Sequence, residues 1–126
     1  MSKITLGTVQ FGIDYGINSE NGQVQPEEVR SILNYAHSQN IDLLDTAPAY
    51  GNSEKVLGVT NVQNFKVVTK TRHFESFEIK NTDVKLLNND FHHSLKDLKQ
   101  HSVYGVLIHD ADDLLKPGAE KLFDKL

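Results

Sequence analysis

An α/β fold of parallel β/α units is predicted, on three observations. Four apolar runs of strand length begin near residues 4, 41, 66 and 103. Between them lie stretches whose apolar residues recur at helical spacing, and alternation of this regularity makes a parallel sheet with right-handed crossovers. Three of the runs also end in ionisable side chains, Asp45, Lys70 and His109. The carboxyl ends of parallel strands are where such folds place their chemistry. The 126 residues form one domain, 1–126.

The first strand is residues 4–9, closed by Gln10-Phe11-Gly12, and a turn-rich loop with Asp14-Tyr15-Gly16 and Asn21-Gly22 follows to Gln25. Pro26 suits the first turn of a helix, with Glu27 and Glu28 at its positive end. Val29, Ile32, Leu33 and Ala36 give that helix one apolar face, and Asn40 stops it before the strand 41–45. Asn52 or Ser53 caps a short helix over residues 53–58, with Gly58 read as its carboxyl cap. Residues 66–70 are the third strand and 72–81 a polar, aromatic loop over the strand ends. A long helix over 83–101 carries Val84, Leu87, Phe91, Leu95 and Leu98 on one stripe. The fourth strand is 103–108, and a last helix runs over 117–126 with Leu122 and Phe123 apolar.

Composition narrows the function. A net charge of −4 with interspersed acids and bases argues against a nucleic-acid or anionic-membrane surface, since both need clustered Lys and Arg. The absence of cysteine removes disulfides and thiolate metal sites. A mean hydropathy of −0.42, no run near the ~20 residues of a membrane span and no signal-like segment make a cytoplasmic protein the expectation.

The most informative stretch is Asp45-Thr46-Ala47-Pro48-Ala49-Tyr50-Gly51-Asn52-Ser53-Glu54. It leaves a strand and enters a helix, so Asp45 and Tyr50 stand together at a strand end. The stretch resembles the active-site signature of the aldo-keto reductases, NAD(P)H-dependent carbonyl reductases built on a TIM-type (β/α)8 barrel. Asp45, Tyr50, Gly51, Ser53 and Glu54 all fall where that pattern wants them. The family also uses a lysine and a histidine at the ends of the next two strands, where Lys70 and His109 stand here.

Hydride reduction of a carbonyl needs a proton on the oxygen as its charge develops. A lysine cation beside a phenol stabilises the phenolate, and a carboxylate fixes the lysine. A histidine polarises the carbonyl through a hydrogen bond. The resemblance implies that Tyr50 is the general acid, that Lys70 and Asp45 tune it, and that His109 guides a small aldehyde or ketone. It implies NADPH or NADH as cofactor, with Thr8, Asp45 and Tyr50 as candidate contacts and Gln10 near the pocket.

No metal is expected. His109-Asp110-Ala111-Asp112-Asp113 contains ligand types for Zn or Mg, but Asp112 and Asp113 suit the approach to the last helix. His92 and His93 point about 100° apart on one helix.

An eight-fold barrel needs about 250 residues, and four β/α units are present. The resemblance therefore covers the amino-terminal half of the fold, and the family's later strands supply most dinucleotide contacts. The expectation is a half barrel that is inactive unless completed by a partner. A homodimer closing edge to edge is one such partner, because the first and fourth strands leave open edges. The alternative is a non-catalytic, self-associating or binding module of the same fold.

Overall fold

The computed structural model describes residues 4–17, 22–60 and 62–125 of the protein. Its sheet holds β1 (Leu6–Gly7), β2 (Leu43–Asp45), β3 (Lys66–Lys70) and β4 (Gly105–Leu107), hydrogen-bonded in that order. All three pairings are parallel, with Gly7 opposite Asp45, Asp45 opposite Val68 and Lys70 opposite Leu107. Neighbours in chain order with parallel pairing are the product of repeated β/α crossovers.

The helices are α1 (Val9–Gly12), α2 (Pro26–Ser38), α3 (Ser53–Thr60), α4 (Asn81–Leu98) and α5 (Glu120–Phe123), with a 3-10 turn at Ala111–Leu115. Side chains alternate across a strand, so Leu44 and Val67 face the helices while Asp45, Val68 and Lys70 face the other way. The main core lies on the helix side: Val29 and Leu33 of α2, Val56 and Leu57 of α3 and Leu98 of α4 pack on Leu44 and Val67. A second cluster joins Phe74, Ile79, Leu87, Ala119 and Leu122. On the opposite face Leu107 is half exposed, at 51%.

Most elements fall where the pattern places them, and the departures have local causes. The first strand is shorter than residues 4–9. Thr8 makes the last bond to β2, its N–H donating to the Asp45 carbonyl at 3.0 Å, and Phe11 N–H already returns to the Thr8 carbonyl at 2.9 Å. The chain thus winds into α1 and buries Phe11. Asn40, with φ 59°, stops the chain after α2 as its residue type suggests.

Gly58 is no cap. It lies inside α3, and a Cβ there would stand 1.9 Å from the carbonyl oxygen of Asp97. The glycine lets the backbones of α3 and α4 touch. The long helix starts at Asn81 rather than at 83, with the Asp83 carboxylate accepting the Lys80 N–H at 2.8 Å. It ends at Leu98 rather than 101, because Lys99 turns left-handed (φ 53°) and Gln100 N–H bonds back to the Leu95 carbonyl at 3.1 Å.

The final helix is only Glu120–Phe123, within which Leu122 is buried and Phe123 exposed. Asp113 stands before it as a fully buried tie, accepting from Phe74 N–H at 3.2 Å and facing Lys116 Nζ at 2.7 Å. That anchor holds the loop between β3 and α4. Asn21 of the Asn21-Gly22 turn and the last residue of the expected helix, Leu126, lie outside the described residues. Among those described, no helix is long and apolar enough to cross a membrane.

Candidate active site

The carboxyl ends of β2, β3 and β4 bring together the four side chains singled out from sequence. Lys70 closes β3 on the face away from the helices. Its Nζ donates to both oxygens of Asp45, at 2.7 and 2.6 Å, and to the Thr46 carbonyl at 3.1 Å. The pair is partly shielded, with side-chain exposures of 13% for Lys70 and 30% for Asp45. Low exposure strengthens the attraction, and the third bond satisfies a further ammonium proton.

Tyr50 comes from the β2–α3 loop. Its ring lies beside the ammonium, with Lys70 Nζ 4.9 Å from the ring centroid. His109, two residues beyond β4, meets the same ring edge-on at 6.0 Å and 77°. A phenol, an ammonium, a carboxylate and an imidazole thus share one strand-end face. A proton donor beside a fixed cation and a second polar group is an arrangement able to protonate an oxygen on which negative charge develops.

The loop is held from below by buried hydroxyls. Thr8 Oγ1 donates to the Asp45 carbonyl at 2.9 Å, and Ser53 Oγ lies 2.9 Å from both the carbonyl and hydroxyl oxygens of Thr8. Thr8 and Ser53 have no exposed surface, so the Thr8 hydroxyl is turned into the protein, supporting Asp45. Gln10 Nε2 is turned to the Tyr15 carbonyl at 2.8 Å. Gly12 packs so closely under the loop that a Cβ there would lie 1.7 Å from the Tyr50 carbonyl oxygen.

Glu54 has a structural place. It is buried, and its Oε1 accepts the Thr69 hydroxyl at 2.5 Å. Burial pushes its carboxyl above the ordinary glutamate range, against the opposing pull of the bonds from Thr69 and Ser94, and the charge of Asp97 adds to the rise. A carboxyl raised on folding holds its proton more tightly in the folded state. Its stabilising contribution is therefore complete below about pH 4.5 and is lost as the pH climbs through the raised value. Glu54→Gln, which cannot titrate, should flatten the dependence of thermal stability on pH between 4 and 8. Parallel melting curves for both proteins across that range would contradict the assignment.

Among the described residues no group of three or more His, Asp or Glu is arranged to hold a metal ion. His73 meets Asp110 at 3.1 Å and Asp113 at 3.8 Å, but Asp113 is engaged by Lys116. Sequence reasoning missed two residues that complete the site. Thr46 contributes its backbone carbonyl, which any residue type carries. Thr71 holds His109 by a contact between residues 38 apart, with no local signal.

The Aldo/keto reductase family's sequence profile matches residues 3–126. Among solved structures, a protein of Pseudomonas aeruginosa described as an aldo-keto reductase is 27% identical with a TM-score of 0.73, over 96% of this chain and 48% of its own. An aldo/keto reductase from Brucella melitensis is 21% identical with a TM-score of 0.58, over 97% of this chain and 43% of its own. The holo form of an aldo-keto reductase from Bacillus halodurans, 18% identical with a TM-score of 0.58, shares the fold over 81% and 34%. Comparison with curated protein sequences returns no match. The chain spans about half the length of the Pseudomonas protein it matches, so its four strands correspond to about half of a (β/α)8 barrel. With that profile matched across nearly its whole length, the chain belongs to the aldo/keto reductase family.

Proposed function

We propose that this chain carries the acid–base constellation of an NAD(P)H-dependent reductase of small aldehydes or ketones. The observation that carries the reading is Lys70, bonded to both Asp45 oxygens and standing beside the Tyr50 ring. Tyr50 donates the proton to the carbonyl oxygen. Lys70 holds positive charge beside the phenolate that remains, Asp45 keeps the ammonium in place, and His109 orients the carbonyl. The donor set fits a dihydronicotinamide cofactor, because a phenol and an ammonium at one strand end offer the proton and the charge that hydride reduction requires. NADPH, when bound, supplies the hydride. Asp45 and Tyr50 are the residues assigned toward its reacting end, with Thr8 supporting Asp45 from beneath.

The experiment is a fluorescence titration of the purified 126-residue chain with NADPH at several protein concentrations, with light scattering on the same samples. Saturable binding that tightens as a dimer forms is the expected result, because pairing of the β1 and β4 edges of two copies would complete the pocket. Absence of binding up to millimolar NADPH would remove cofactor binding from these residues. A dimer without NADPH binding would favour the second reading, a self-associating module, for which the half-exposed Leu107 on the open sheet face is the supporting observation.

A further inference from the structure

We propose that Thr71 is a positioning residue for His109, an inference that rests on the reading of His109 as the carbonyl-orienting group. Four consecutive residues at the end of β3 each tie to a different element. Thr69 bonds Glu54 of α3 at 2.5 Å, Lys70 bonds Asp45 of β2, and Arg72 pairs with Asp90 of α4 through bonds of 2.5 and 3.0 Å. Thr71 reaches the segment after β4: its hydroxyl oxygen accepts the His109 N–H at 3.1 Å, and its own N–H donates to the Leu107 carbonyl at 2.9 Å.

This contact matters because His109 has little else to place it. The β3–β4 ladder ends at Lys70 opposite Leu107, so His109 lies beyond the regular register. Its ring Nδ1 is buried and bonds no other group among the described residues. Ring orientation thus depends on the edge-on contact with Tyr50 and on where the backbone sets the Cα. Thr71, 1% exposed, is the side chain that sets it. Valine has nearly the shape of threonine but offers no acceptor, so Thr71→Val leaves the His109 N–H unpaired while filling the same space.

The test is NMR of the folded 126-residue chain. In Thr71→Val the His109 amide should exchange about tenfold faster, and the His109 ring protons should lose the shift imposed by the Tyr50 ring. Thr71→Ser, which keeps the hydroxyl, should restore both. Unchanged exchange and ring shifts in Thr71→Val, or failure of serine to restore them, would overturn the proposal. Should Thr71→Val fold poorly, Thr71→Ser against Thr71→Ala gives the same comparison. These readouts need no turnover, so they report on Thr71 alone; failure of the functional reading of His109 would show instead as carbonyl turnover indifferent to His109→Ala.

Discussion

Tyr50→Phe is expected to lower carbonyl reduction by about 10²–10⁴-fold, the usual reach of one general acid, in any form of the protein that turns over. The substitution removes one oxygen and its proton. Phenylalanine keeps the ring, and with it the surface that lies 4.9 Å from Lys70 Nζ and 6.0 Å from His109. The ammonium also remains paired with Asp45 and Thr46. Cofactor affinity should therefore change little, so the loss falls on the chemical step rather than on binding. Steady-state rates beside an NADPH titration check this. Equal rates in variant and wild type would remove Tyr50 from the mechanism.

The largest effect on stability is expected at Gly12. The Cβ of Gly12→Ala would lie 1.7 Å from the Tyr50 carbonyl oxygen, 2.5 Å from Ser53 N and 2.9 Å from Ser53 Cβ. Two of these three neighbours are backbone atoms, and Ser53 is held by Thr8, so none can swing aside. Overpacking of this kind costs about 3 kcal/mol or more. It acts where α1 meets the Tyr50 loop, and so should disturb the site as well. Gly7 is the internal control, since a Cβ there meets nothing within 4 Å. Gly7→Ala should stay within about 0.5 kcal/mol of wild type. Urea unfolding of the two variants decides it: equal stability would show that the α1–loop junction yields more easily than its packing indicates.

Local chemistry explains which parts were legible in advance. Pro26, the Val29–Leu33–Ala36 face and Asn40 bound one helix, and all of that information lies within fifteen residues of chain. The strand at 66–70 is equally plain, because Val67 and Val68 sit between polar residues at strand length. Gly58 and Asp113 show the opposite case: Gly58 is no cap, and Asp113, which stands before the last helix as expected, is in addition a buried tie. A glycine near a helix end and an aspartate before a helix both have good local explanations. Their actual partners, the Asp97 carbonyl and the Phe74 amide, come from other elements. The end of α4 was misread because Lys99 adopts a left-handed cap that favours glycine.

By itself, then, the sequence determined the parallel β/α order, the helix faces and the candidate site residues, since periodicity, capping and the Asp45-to-Glu54 signature are local patterns. Tertiary structure alone decided how those residues meet: that Lys70 takes both Asp45 oxygens, that Lys70 and His109 both approach the Tyr50 ring, and that Thr71 holds His109 across 38 positions. The physical reason is the parallel register. It sets Lys70 opposite Leu107 and Asp45 opposite Val68, converting residues far apart in the chain into neighbours at one end of the sheet.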